Sequence, residues 1–163
     1  MGRFFSVPFD DVATGTSDNT YKTMAAVLVP NTAGKRCCIR EIGVGPADDT
    51  PLDYSVGVRL QRFSDQSTGT KTAITAANLG HLEADAVDGS CTGAHTYTVE
   101  PTTMDTSPIW QSGMNARGSL IKTWSGPADA CPVGGQADGM ALRICPRGTN
   151  ASRHSGWITF EEY

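Results

Sequence analysis

Residues 54–61 read Tyr54-Ser55-Val56-Gly57-Val58-Arg59-Leu60-Gln61. Tyr54, Val56, Val58 and Leu60 fall on one side of a two-residue period, and Ser55, Gly57, Arg59 and Gln61 fall on the other. A helix repeats every 3.6 residues and would spread these apolar side chains around its axis, whereas an extended strand collects them on one face. The stretch therefore predicts a half-buried β-strand whose second face is wet. Met140, Leu142 and Ile144 alternate with Ala141, Arg143 and Cys145 in the same way, and Trp157, Thr159 and Glu161 oppose Ile158 and Phe160. One buried face per strand is the pattern of antiparallel sandwich sheets, because strands of doubly covered parallel sheets lose the alternation.

Further β-branched and aromatic segments stand at 4–9, 21–29, 36–44, 95–100 and 119–124, separated by Gly, Pro, Asp and Asn clusters. With 54–63, 140–145 and 156–161 they make about eight strands, which predicts an all-β chain: an antiparallel β-sandwich of jelly-roll-like type. At most one short helix is expected, within 71–84, where Ile74, Ala77, Asn78 and Leu82 approximate one face and Gly80 interrupts it. Pro30-Asn31-Thr32-Ala33-Gly34 predicts a hairpin that pairs the second strand with the third. Adjacent Cys37 and Cys38 must then point to opposite sides of that third strand. The stretches 64–94 and 101–118 read as long loops, of the kind that carry function or order against a partner.

A length of 163 residues predicts a single domain spanning 1–163, with residues 1–9 read as an N-terminal arm. Eighteen glycines and nine prolines are more punctuation than a helical protein tolerates. Thirteen basic and seventeen acidic residues leave a net charge of −4, no footprint for a nucleic-acid backbone, so nucleic acid is not an expected partner. No apolar run approaches the roughly 20 residues that cross a bilayer, so no membrane partner is expected. The N-terminus also lacks the apolar core of an export signal.

Neither Gly-x-Ser-x-Gly nor a phosphate-binding glycine loop occurs. The carboxylate pairs Asp10-Asp11, Asp48-Asp49 and Glu161-Glu162 are neighbours on extended chain and project in opposite directions. His81, His95 and His154 have no metal-ligand spacing. The sequence therefore assigns no catalytic residue, no cofactor and no metal ligand, and the expectation is a protein that is not an enzyme. The five cysteines, an odd number without a Cys-x-x-Cys pair, read as small buried hydrophobes in a reducing compartment; one bridge, such as Cys131 to Cys145, is the alternative. Trp157 opens a well-patterned strand and reads as core. Trp110, in a long loop, is the better candidate for an exposed contact. Phe4, Phe5, Phe9, Trp110 and Met114 are the candidate protein-interface residues. A different class of function, a carbohydrate- or receptor-binding module, would expose Trp110, Trp124 or Tyr97 as a platform.

The run Tyr21-Lys22-Thr23-Met24-Ala25-Ala26-Val27-Leu28-Val29-Pro30-Asn31-Thr32-Ala33-Gly34-Lys35-Arg36 is followed by Arg40-Glu41-Ile42-Gly43-Val44-Gly45-Pro46-Ala47-Asp48-Asp49 and then Val58-Arg59-Leu60-Gln61-Arg62. Together with the closing Gly156-Trp157-Ile158-Thr159-Phe160-Glu161-Glu162, it resembles the small structural virion proteins of tailed bacteriophages, of the capsid decoration or cement type. The resemblance implies a β-sandwich made in the host cytoplasm that sits on the outer capsid surface of the virion. There it would bind the major capsid protein and stabilise the shell, as a homo-oligomer with a trimer favoured over a dimer. A tail or connector component is the related alternative.

Overall fold

A computed structural model describes residues 2–48, 53–82, 89–125 and 131–163. Among these residues twelve strands form: β1 (Arg3–Ala13), β2 (Lys22–Leu28), β3 (Cys37–Pro46), β4 (Ser55–Phe63), β5 (Thr70–Ile74), β6 (Gly80–His81), β7 (Thr92–Val99), β8 (Trp110–Asn115), β9 (Leu120–Thr123), β10 (Val133–Gly134), β11 (Gly139–Pro146) and β12 (Arg153–Glu162). All pairings are antiparallel, in two sheets. The first runs β10-β3-β12-β1-β6 with β9 also on β3; the second runs β5-β7-β2-β11-β4-β8.

Within these sheets lie two four-stranded sets, β1-β12-β3-β9 and β2-β11-β4-β8. Successive strands of this eight-membered subset, β1, β2, β3, β4, β8, β9, β11 and β12, are first, second and so on to eighth. Their spatial order is then 1-8-3-6 in one sheet and 2-7-4-5 in the other, the double Greek key of a jelly roll. The insertion between β4 and β8 adds β7 and β5 beyond β2, and β6 beyond β1.

The core lies between the sheets. Val56, Val58 and Leu60 of β4, Met140, Leu142 and Ile144 of β11, and Ile158 and Phe160 of β12 are all fully buried there, as their alternation predicts. The second face of the β4 sheet is not wet, however. Ala26, Leu28, Phe63, Ala94, Tyr97 and Ala141 form a further apolar cluster on it, with Met104 packed against them. Small outward side chains on β2, β7 and β11 let the connection from β7 to β8 lie flat across the sheet. Phe63 bridges to Met104, and the Gln61 side-chain amide donates to the Asp105 carbonyl.

Several expectations are corrected. Residues 30–34 do not make a hairpin: β2 and β3 lie in different sheets, and the loop is tied instead to the 135–138 turn through Val29 N–H to Asp138 O (2.9 Å) and Ala137 N–H to Pro30 O (3.3 Å). The limit of one short helix within 71–84 holds over the described residues: a 3-10 turn at Ala76–Asn78 stands between β5 and β6, and residues 83–84 lie outside the described residues. The two stretches read as loops hold β5, β6, the start of β7 and β8. The arm read over 1–9 is not free from Arg3 onward, since β1 pairs with β12 from Arg3 to Ala13 inside this chain's own sheet; Met1 lies outside the described residues. Cys38 is bridged to Cys131 with a Cα–Cα distance of 5.7 Å, while Cys37, Cys91 and Cys145 are free and buried. The pairing follows from the strand alternation: Cys37 faces the core, so Cys38 faces outward, where the segment entering β10 runs beside β3.

Candidate interaction surfaces

The candidate interface residues separate once placed. Phe5 and Phe9 point from β1 into the core, and Phe5 stacks on Phe160 with centroids 5.5 Å apart. Phe4, on the opposite face of β1, is half-buried. Trp110 and Met114 are half-buried on β8 and packed against the main core, and Trp110 meets the buried Trp124 edge-on at 6.1 Å. Neither Trp124 nor Tyr97 is an exposed platform: Trp124 is 6% exposed and Tyr97 1%.

What is accessible around Trp110 and Met114 is the strand that carries them. β8 is the outer edge of its sheet. Ala116 N–H donates to Tyr54 O at 2.8 Å, and the register continues through Met114↔Val56, Ser112↔Val58 and Trp110↔Leu60. Alternate residues of an antiparallel ladder bond the neighbouring strand, so Gln111 and Gly113 direct their backbone groups away from it. Gln111, Ser112 and Gly113 are exposed, and no residue from Trp110 to Asn115 is charged. The other edges are guarded in the ways that prevent strand addition. β5 carries Lys71 and β9 carries Lys122; β6 and β10 have two residues each; β1 is broken by a bulge at Asp10-Asp11.

Trp157, like Trp110, is only half-buried, and it reaches the opposite layer's surface. It stands on the outer face of the β3-β12 sheet, half-buried, and its indole N–H donates to Glu41 Oε1 at 2.8 Å. A Cβ built on Gly43 would sit 2.4–2.6 Å from three atoms of its six-membered ring. Three ring atoms equidistant from one point place that point over the ring's face, so the indole lies flat on Gly43. Beside it opens a groove of about 390 Å³ with Gly45 and Gly156 in its lining and Ile121, Ser119 and Ser155 around it. The reading of Trp157 as core is therefore corrected. The signal was available, because the alternation sets Trp157 on the same face as Thr159 and Glu161.

Of the adjacent carboxylates, Glu161 and Glu162 diverge, whereas Asp10 and Asp11, at the β1 bulge, reach Ser155 and Arg153 on one face of β12. Glu161 pairs with Arg40 on the outer face, and Glu162 turns inward to accept from Ser90 N–H (2.9 and 3.0 Å), Cys91 N–H (3.0 Å), the Ser90 hydroxyl and Lys35 (3.2 Å). Burial opposes ionisation of Glu162, but these donors outweigh it and bring its pKa down to about 2. Glu162 is thus a clamp joining the last strand to residues 89–91. His154 is buried, its Nε2 2.7 Å from Ser152 Oγ, and burial holds its pKa below the usual histidine value. Asp48 of the pair Asp48-Asp49 accepts from Arg153 N–H at 2.8 Å; Asp49 lies outside the described residues. Among the described residues no group of three or more His, Cys, Asp or Glu is placed to hold a metal ion, and no helix is long and apolar enough to cross a membrane.

No family model and no curated protein matches this sequence. Among solved structures, the chain is similar to the structure of the infectious bursal disease virus Gx strain, at 14% identity over 99% of this chain and 42% of that one, with a TM-score of 0.23. It is also similar to the crystal structure of the infectious bursal disease virus VP2 subviral particle, at 13% identity over 98% and 41%, again with a TM-score of 0.23. The chain spans less than half the length of either.

Proposed function

We propose that this chain is a structural virion protein, a decoration or cement subunit that binds the major capsid protein on the outer surface of a tailed-phage capsid. The observation that carries the reading is the β8 edge: six uncharged residues, of which Gln111 and Gly113 turn their backbone groups outward, with Trp110 and Met114 half-buried among them. Strand addition supplies main-chain hydrogen bonds to a neighbouring sheet, and an aromatic anchor supplies desolvated area. The jelly-roll body agrees with the reading, since this architecture serves capsid and lectin domains. A protein that binds the assembled lattice but not its separated subunits stabilises the lattice by mass action, so many copies of a modest contact suffice. Self-association as a trimer rather than a dimer belongs to the same reading, because a two-fold pairing of β8 with its own copy would occupy the edge assigned to the shell.

The test mixes the purified full chain with shells that lack it and measures occupancy by quantitative gel and shell melting by calorimetry. Gln111→Pro removes an outward N–H without removing a ladder bond, so it leaves the isolated chain's unfolding midpoint unchanged. It is expected to lower occupancy at least about tenfold, a loss of about 1.4 kcal/mol. Wild-type chain that leaves shells bare, or attaches to tails or connectors instead, overturns the capsid address. Full occupancy by Gln111→Pro overturns the role of β8.

A further inference from the structure

Trp157 and the groove beside it belong to the opposite layer from β8 and have no part in the contact just described. Three features define their chemistry. The first is the flat indole. One face lies on Gly43, where no larger residue fits, and Nε1 is fixed by Glu41 at 2.8 Å, so the ring is held in one orientation with its other face turned outward. The second is the glycine lining. A Cβ on Gly45 would meet nothing closer than the Ser119 hydroxyl at 3.2 Å, so the sheet backbone is bare there and a ligand can approach it closely. The third is the polar rim. Ser155 Oγ accepts the Asp11 N–H at 3.0 Å and donates to Asp10, which fixes a hydroxyl at the groove wall with a carboxylate behind it. Ser119 offers a second hydroxyl, and Glu41 a second carboxylate.

We propose that this groove binds a neutral saccharide, one pyranose ring stacked on the outward face of Trp157 with its hydroxyls directed to Ser119, Ser155 and the two carboxylates. A pyranose carries an apolar C–H face and a rim of hydroxyls, and the groove presents a fixed aromatic face within a rim of hydroxyls and acceptors. Carboxylates accept from sugar hydroxyls through charge-assisted bonds. The groove lining includes no Lys, Arg or His, and the nearest cation, Arg153, is paired with Asp11, so an acidic sugar would find no free cation in the lining while Asp10 and Glu41 stand behind Ser155 and Trp157. The same argument disfavours an acidic peptide or a phosphate group.

The experiment uses the full chain and the methyl glycosides of glucose, galactose, mannose and N-acetylglucosamine, with glucuronic acid as the charged counterpart. Binding is followed by the Trp157 indole N–H resonance and by calorimetry. At least one neutral glycoside should saturate the resonance shift with a millimolar dissociation constant, about −4 kcal/mol, and bind at least about tenfold more tightly than glucuronic acid. Gly45→Leu starts from a Cβ that meets only the Ser119 side chain and extends into the groove; it should abolish the shift, and its unfolding midpoint, measured beside it, should stay close to that of the wild type. Trp157→Phe keeps a stacking face and should weaken binding without abolishing it. No saturable shift with any neutral glycoside, a shift that persists in Gly45→Leu, or equal binding of glucuronic acid overturns the proposal. Because shells play no part in the measurement, its failure leaves the decoration reading standing, and failure of that reading leaves this one standing.

Discussion

Gly43 shows how a single missing side chain sets a surface. Its would-be Cβ sits 2.4–2.6 Å from three atoms of the Trp157 ring, so Gly43→Ala must displace the indole and break its bond to Glu41. The expected outcome is loss of the Trp157 N–H signature and destabilisation of about 1–3 kcal/mol, the range for forced overpacking, read from denaturant midpoints. Glu162 makes a prediction with a pH axis. Its pKa lies at about 2 in the folded chain against an ordinary 4.5, so its stabilisation is complete above pH 4.5 and is lost as pH falls toward 2. Glu162→Gln should lower stability at neutral pH by about 3 kcal/mol and flatten the acid limb of the stability curve. His154 acts earlier on the same axis. Burial lowers its pKa from 6.5, so the folded state binds fewer protons than the unfolded state just below that value, and stability begins to fall as pH drops through it. His154→Gln should remove that first decline and leave the one due to Glu162; equilibrium unfolding at pH 7, 5.5 and 3 separates the two.

At the scale of elements, alternation was readable wherever one face meets the core, as in 54–61 and 140–145. β8 was missed because an edge strand has little to bury: only Trp110 and Met114 touch the core, and the exposed Gln111, Ser112 and Gly113 read as loop. The apparent helix over 71–84 rested on four residues, of which only Ile74, half-buried, packs against the core; β5 gains its stability from pairing with β7 instead. The Cys38–Cys131 bridge spans 93 residues and ties β3 to the segment entering β10. Replacing both cysteines by serine should cost about 2–4 kcal/mol, and the reduced wild type should match the double variant in a denaturant titration. Under non-reducing conditions the unfolded chain should show three reactive thiols. The native chain should show none, because Cys37, Cys91 and Cys145 are fully buried and burial pushes the Cys37 thiol up to about 12. Five reactive thiols would remove the bridge.

At the scale of the whole molecule, the first strand and the last are neighbours at the centre of one sheet. Deleting residues 1–9 therefore removes Phe5, Val7 and Phe9 from the core and strips β12 of most of its partner. The expected product is an unfolded chain by circular dichroism, where deletion of a free arm would leave the spectrum unchanged. The sequence by itself determined the all-β character, the inward faces of the main strands, the divergence of Glu161 from Glu162 and of Cys37 from Cys38, because each follows from the two-residue period of extended chain. Only the tertiary structure decided which strands pair, which cysteines bridge, which edge is left open and which tryptophan lies on glycine. Those outcomes depend on contacts between residues tens of positions apart, and a local pattern constrains the face a residue takes without specifying what it meets there.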